Sequence, residues 1–263
     1  MFYEMISYDE YAKREGLRSS QLKDMREEPY KASPSYRFEN PQEETTAFTW
    51  GKAVHSMVEH RAHETPDIAV FRDGKTRGSK AFKAFEANNK GKILLLESEF
   101  DSTSNAFDSL NFNDEVREAL DFSVFEASWF WTDKETGLKC KIRSDIYQPE
   151  THHVYDLKTT HTCSRRAFAY DSRKYGYTHQ AAFYADGIKQ ITGKRPDFFF
   201  ILVAKSAPHK TAMVEVDHAL IDHYIKLNRF YMRQYADCLE SGNWPNSDYF
   251  TLELNDYERE QDV

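Results

Sequence analysis

The apolar residues change their spacing along the chain, and each change marks an element. Between residues 138 and 147, Leu138, Cys140 and Ile142 alternate with Lys139, Lys141 and Arg143, the two-residue period of a half-buried strand. Residues 153–159 carry Val154 and Tyr155 and favour a second strand, with Gln148-Pro149-Glu150-Thr151 as the turn between them. In residues 46–63 the spacing becomes helical, with Phe48, Ala53, Val54, Met57 and Val58 on one face. Residues 197–205, DFFFILVAK, form an almost unbroken apolar run, which predicts a central strand covered on both faces. Asp217 then caps a helix to about residue 239, with Leu220, Ile221, Tyr224, Leu227, Phe230 and Tyr231 as its buried stripe.

Shorter patterns fill the remainder. Helices are predicted over 8–16, 21–28 (capped by Ser19-Ser20), 80–87, 102–110, 113–120, 164–171 and 178–192, the last ending at Gly193. Strands are predicted over 122–131, 211–216 and 249–254, and the apolar run Ile93–Leu96 reads as a buried strand or a helix lead-in. Residues 33–44 read as irregular and polar. The order of helices, strand, hairpin, helix, strand, strand and helix predicts an α/β fold with a mixed central sheet flanked by helices.

The hairpin carries the chemistry. A turn centred between Glu150 and Thr151 sets Asp145 opposite Asp156, with Cβ atoms roughly 5 Å apart. Two carboxylates so placed repel unless a cation lies between them, and a hard divalent cation takes oxygen ligands. Lys158 projects from the same face as Asp156 and can hold a water or a phosphate oxygen beside the metal. His55 stands four residues after Gly51, which allows close backbone approach and leaves the imidazole room to reach a neighbouring site as a metal ligand. Glu126 lies inside an apolar strand, where a carboxylate is costly unless paired, so it is expected beside a cation or behind the metal ligands. Gln180 and Tyr184 share a helix face. The glutamine can donate to phosphate, and the tyrosine can buttress it or stack on a base.

Composition narrows the classes. The 263 residues have a net charge of −8, which argues against a protein coated for nucleic acid but allows local basic surface. Lys139, Lys141 and Arg143 share strand parity with Asp145 and are expected to line the approach to the site. The stretch from Lys75 to Lys92 and the group Arg165, Arg166, Arg173 and Lys174 are further basic clusters, and the glycine-punctuated loop 72–78 is either a grip on a DNA backbone or an ordinary exposed loop. Cys140, Cys163 and Cys238 are odd in number and unclustered, as expected of a reducing, cytoplasmic compartment. No apolar run is long enough to span a membrane. A zinc site from His152, His153, His161 and Cys163 has poor spacing for tetrahedral ligation.

Four patterns therefore stand in order: Gly51-x3-His55, Asp145, Asp156-Leu157-Lys158-Thr159, and Gln180-x3-Tyr184. The set resembles the RecB-type branch of the PD-(D/E)xK nucleases, and within it the C-terminal nuclease domain of the exonuclease VIII (RecE) family. Ser19-Ser20-Gln21-Leu22, Pro29-Tyr30-Lys31, Gly137-Leu138 and Tyr177-x2-Gln180-Ala181-Ala182-Phe183-Tyr184 extend the likeness over most of the chain. Two departures are the displaced proline, Pro149, and Arg143-Ser144 before Asp145, where many relatives carry glycine.

The resemblance implies a PD-(D/E)xK, restriction-endonuclease-like core in a single domain over 1–263. A helical lead-in would occupy 1–45, the nuclease core 46–240 and a flexible acidic tail 255–263. It implies an Mg²⁺-dependent exonuclease, with Mn²⁺ as substitute, that degrades one strand of linear double-stranded DNA from a 5′ end and leaves a 3′ tail. His55, Asp145, Asp156 and the Leu157 carbonyl would bind metal. Lys158 would activate or orient water, and Gln180 would hold Lys158, the water or the phosphate. Lys139, Lys141, Arg143, Arg165 and Tyr184 are the expected DNA contacts. The implied partners are duplex DNA ends, a single-strand annealing protein and further copies of the chain in a trimeric or tetrameric ring, with no membrane. A structure-specific or single-strand nuclease shares the same metal site. A DNA-end-binding module without catalysis is opposed by the intact set His55, Asp145, Asp156, Lys158 and Gln180.

Overall fold

The computed structural model describes residues 2–40 and 45–246. The helices are α1 (Tyr8–Lys13), α2 (Ser19–Glu27), α3 (Pro34–Glu39), α4 (Thr46–His60), α5 (Lys80–Asn88), α6 (Glu97–Phe112), α7 (Asp114–Leu120), α8 (Arg165–Lys174), α9 (Tyr177–Thr192) and α10 (His218–Ser241). The strands are β1 (Ile68–Phe71), β2 (Ile93–Leu96), β3 (Val124–Thr132), β4 (Lys139–Gln148), β5 (His153–Thr160), β6 (Asp197–Ala204) and β7 (Thr211–Glu215). The main sheet runs β3-β4-β5-β6-β7; its β5–β6 pair is parallel and the others antiparallel. The parallel pair requires a crossover, which α8 and α9 provide.

Apolar clusters cover both faces of this sheet. On one, Trp129, Val154, Phe198, Phe200 and Leu202 pack against α2, α9 and α10. On the other, Ile146, Tyr155, Leu157, Ile201 and Val203 pack against α4, α6 and α7. The double coverage explains why β6 reads as a continuous apolar run.

The period-two pattern breaks at one row. On β4, Cys140 and Ile142 pack into the first cluster, and so does Tyr147, whereas Ile146 packs into the second. On β3, Ala127 and Trp129 share the first cluster with Val124, while Phe125 lies in the second. Both strands therefore invert their faces between these positions. The β3–β4 ladder pairs Phe125 with Ile146 and Ala127 with Ser144, and the Glu126–Asp145 pair between them is missing. Glu126 has φ 57°, a left-handed conformation that costs about 1–3 kcal/mol for a non-glycine residue.

Several expectations change here. Residues 34–39 are helical: the Ser33 hydroxyl accepts from the Tyr36 N–H at 3.2 Å, and Pro34 occupies the first turn, where its missing N–H costs nothing. Ile93–Leu96 is a strand, paired in parallel with the unforeseen β1. The cap of α2 is Arg18, whose N–H donates to the Gln21 side chain at 3.1 Å. The expected strand at 249–254 and the acidic tail at 255–263 lie outside the described residues.

A buried ionic knot ties the β3–β4 turn to α9 and α10. Arg229 donates to both Asp133 and Asp186, and Gln190 Nε2 donates to Asp133 Oδ2 at 2.9 Å. Burial alone would raise the Asp133 carboxyl, but Gln190, Arg229 and Thr136 outweigh it and hold it down at about 2. Replacing Arg229 with Met leaves two buried carboxylates without their cation. The variant is expected to lose about 3 kcal/mol of unfolding free energy, measured by urea denaturation at pH 7.

His179 gives the fold a pH dependence. Its buried Nδ1 lies 2.7 Å from Asn228 Oδ1, and Asn228 Nδ2 donates to the His179 carbonyl at 2.9 Å. Burial holds the imidazole below its ordinary value of 6.5. The unfolded chain thus takes the proton more readily, so this contribution is complete above about pH 6.5 and is lost as the pH falls below it. The urea midpoint should drop as the pH falls below about 6.5, and His179→Gln should flatten that part of the profile.

Candidate active site

Chain register sets three carboxylates side by side. The pairs Ile146–Tyr155, Tyr147–Val154 and Gln148–His153 place the hairpin in the predicted register, which carries on to Asp145 and Asp156. The β3–β4 register carries Glu126 to the same row. Beyond Ile146–Tyr155 the two hairpin strands part, and Asp145 Oδ2 fills the gap by accepting the Leu157 N–H at 2.9 Å. The face inversion is what releases Glu126 and Asp145 from the pleat.

Two helices close on this row. On α9, Gln180 bridges the D-x-K pair: its Nε2 donates to Asp156 Oδ1 at 2.6 Å and its Oε1 accepts from Lys158 Nζ at 3.0 Å. Lys158 Nζ also lies 2.5 Å from Asp156 Oδ2 and 4.6 Å from the centre of the Tyr177 ring. On α4, His55 Nδ1 lies 3.7 Å from Asp145 Oδ2. Gly51 makes this approach possible, because a Cβ there would stand 3.2 Å from Thr159 Oγ1 on β5. The residues surround a cleft of about 970 Å³ that includes His55, Glu126, Asp145, Asp156, Lys158 and Gln180 in its walls.

The electrostatics follow from crowding. Burial raises the Asp145 carboxyl well above the carboxylate range, and the charges of Asp156 and Glu126 push it further. Burial also raises Glu126, against the Arg143 guanidinium that donates to it. Burial lowers the His55 imidazole, which favours the neutral form that ligates metals. For Lys158, burial pulls the ammonium down, but the Asp156 and Asp145 carboxylates outweigh it and hold it above its ordinary value.

The donor set fits a divalent cation. Ligand atoms of His55, Glu126 and Asp145 lie within 4.8 Å of one another. Asp156 Oδ2 is buried with no hydrogen bond of its own, and meets only the Lys158 ammonium as an ion pair. Leu157 lines the cleft and its backbone hydrogen-bonds toward His55, so its carbonyl is on the correct side. A set dominated by carboxylate oxygens with one imidazole suits a hard or borderline divalent cation better than a soft one. Glu126, expected beside a cation or behind the metal ligands, is paired with Arg143, and its carboxylate also reaches the atoms of His55 and Asp145. Its signal in the sequence was a carboxylate in register with Asp145, once β3 is known to pair with β4.

The expected DNA contacts divide. Lys141 is corrected: only 2 % exposed, its ammonium donates to the carbonyls of Tyr11 at 2.8 Å, Ala12 at 3.3 Å and Arg14, where it caps α1. The shared parity with Asp145 fails because the strand inverts before that residue. Tyr184 is buried, and its hydroxyl donates to the Arg143 carbonyl at 3.1 Å, so it buttresses β4 and offers no face to a base. Arg143 is engaged with Glu126 and with the Ile6 carbonyl at 2.9 Å, on the cleft wall. Lys139 is exposed and paired with Glu15 at 2.8 Å, away from the cleft. Arg165 is exposed at the start of α8, outside the cleft lining. In the loop 72–78, Arg77 is held by Glu99 and by the Leu94 carbonyl at 3.0 Å.

Known proteins match this architecture. The family model of a PDDEXK-like domain of unknown function (DUF3799) matches residues 18–259. A solved structure from Eubacterium rectale, described provisionally as an exonuclease, superposes with a TM-score of 0.67 at 18% identity, covering 99% of this chain and 94% of that one. A phage-related exonuclease from Haemophilus somnus 129PT is 15% identical, with a TM-score of 0.33 over 88% of this chain and 97% of that one, too distant in geometry to carry weight. No curated protein matches the chain in sequence.

The donor set makes a binding prediction independent of turnover. Calorimetric titration with Mn²⁺ should show a site that weakens about tenfold or more in each of His55→Ala, Glu126→Gln and Asp145→Asn. An unchanged isotherm for Glu126→Gln would return that residue to a purely ion-paired role with Arg143.

Proposed function

The chain belongs to the PDDEXK-like family DUF3799, and from that membership and the site we propose that it is a metal-dependent DNA nuclease, an Mg²⁺-dependent exonuclease on linear duplex DNA. The observation that carries this reading is the convergence of Glu126, Asp145 and Asp156 in one row with His55 on one side and Lys158 and Gln180 on the other. The finer features rest on the four ordered motifs: 5′-to-3′ polarity, 3′ single-stranded tails for recombination, an annealing partner, a homo-oligomeric ring and a cytoplasmic setting. Among the described residues no helix is long and apolar enough to cross a membrane.

The chain's own groups have separable tasks. His55, Glu126, Asp145 and Asp156, with the Leu157 carbonyl, would hold Mg²⁺ or Mn²⁺. When bound, such a cation lowers the pKa of a coordinated water and offsets charge on the scissile phosphate. Lys158 is a protonated donor here, since two carboxylates stabilise its charge. Its role is therefore to orient water and stabilise charge building on the phosphate oxygens, more than to remove a proton. Gln180 fixes the Lys158 rotamer through its carbonyl and steadies Asp156 through its amide. Asp145 is pinned by the Leu157 N–H, so it does not swing when ligands change.

Linear duplex DNA labelled at either end tests the reading. With Mg²⁺ the label should be lost from 5′ ends and full-length 3′-ended tails should accumulate. EDTA should abolish the reaction, and Lys158→Ala and Asp156→Ala should each slow it by roughly 10²–10⁴-fold. Cleavage of covalently closed circles would reassign the same site to an endonuclease. No hydrolysis with any divalent cation, alongside binding to DNA ends, would leave a binding module.

A further inference from the structure

A row of aromatic rings and cations leads from the surface of α8 to the proposed catalytic lysine. On α8, Arg166, Tyr170 and Lys174 are spaced four apart and share one exposed face. Tyr170 is 66% exposed and Tyr175, just past the helix, 46%. The Lys174 ammonium lies between them, 6.0 Å from the Tyr170 ring centre and 5.3 Å from that of Tyr175. The Tyr175 and Tyr177 ring centres are 5.9 Å apart, and Tyr177 lies 4.6 Å from Lys158 Nζ. Tyr175 and Tyr177 both line the cleft. Arg165 and Arg166, in the first turn of α8, are both exposed.

Tyr170 leaves about two thirds of its surface in water and Tyr175 nearly half, so each presents ring surface to a ligand. Stacking platforms interleaved with cations bind single-stranded nucleic acid, because a ring takes the face of an unpaired base while the cations follow the phosphates. A base inside a duplex hides both faces in its own stack, so exposed rings favour a strand already separated from its partner. The row also ends where a phosphate would have to sit for cleavage.

We propose that Tyr170, Lys174 and Tyr175 form a binding track for single-stranded DNA, which delivers unpaired nucleotides of one strand to the cleft at Lys158. The location of the cleavable phosphate rests on the nuclease reading; the binding of the strand does not. The track extends the substrate description from a duplex end to an end whose terminal nucleotides are unpaired as they enter.

The test separates the two claims. A fluorescein-labelled oligothymidylate is titrated with the full chain in EDTA, followed by anisotropy, and linear duplex digestion with Mg²⁺ is measured on the wild type. Tyr170→Leu combined with Tyr175→Leu should weaken strand binding at least about tenfold. Replacing both tyrosines with Trp should restore it, which a merely structural role would not predict. Lys174→Gln should reduce the slope of log affinity against log salt by about 0.7, the loss of one phosphate contact on a single strand. Circular dichroism melting confirms that the variants fold, as expected for exposed positions. Strand affinity unchanged by the double substitution overturns the track, even if the wild type digests DNA. A wild type that digests nothing, but whose strand binding depends on both tyrosines, overturns the nuclease reading and upholds the track.

Discussion

Everything near the cleft answers to the repulsion among three acids held in one row of the sheet. The fold keeps them close, because the flanking pairs Phe125–Ile146, Ala127–Ser144 and Ile146–Tyr155 hold the strands on either side of the row. Each must find positive charge. Glu126 has the Arg143 guanidinium, and Asp156 has the Lys158 ammonium. Asp145, the middle one, has a backbone N–H and a half-buried imidazole that burial keeps neutral. Two neighbours are neutralised locally and the central carboxylate is not. A divalent cation beside Asp145 would resolve that imbalance without a further side chain, with the imidazole within reach as a ligand, and in such a half-dry setting its attraction would exceed the value in water severalfold.

The cost of the row is distributed through the scaffold. Inverting both strands at Glu126 and Asp145 forfeits a ladder pair and places one non-glycine residue at positive φ. Apolar packing on the two faces of the sheet offsets this. The inversion itself hands Ile146 to the α4 side and Tyr147 to the α9 side, so the strand contributes to both clusters. The helices that carry His55 and Gln180 are the ones these clusters hold down. Positioning of the site and burial of the core are thus the same set of contacts, and the Arg229 knot locks α9 and α10 against the turn that precedes β4.

Much of this was legible in the sequence, for local reasons. The hairpin register followed from a turn centre and a two-residue period, and the crossover helices and β6 followed from their apolar spacing. The motif residues were marked by their unusual placement, with acids and a lysine inside strands. What escaped notice required the partner strand. The face inversion leaves no mark on β4 alone, so Lys141 looked like part of the cleft approach when it serves the carbonyls beneath α1. Tyr184 carried the same ambiguity: a tyrosine one turn from Gln180 can reach solvent or the sheet, and only the depth of α9 decides. Glu126 has the cation partner that its place in an apolar strand requires, but its nearness to His55 and Asp145 depends on that same inversion. Short elements such as β1 and α3 were missed because four or six residues give too little periodicity to detect.

The net charge of −8 acquires a physical sense from this distribution. Many of the cations that looked available to DNA are spent inside the protein: Arg77 on Glu99, Lys139 on Glu15, Lys141 on backbone carbonyls and Arg143 on Glu126. With a net charge of −8, attraction of a polyanion by the whole surface is weak. On the proposed track, binding would draw on the exposed Arg166 and Lys174 of α8 and on Lys205 in the cleft wall. On the proposed reading, a duplex would be held weakly along its length and retained where a separated strand meets rings and cations together, so that a preference for ends would need no base-specific contact.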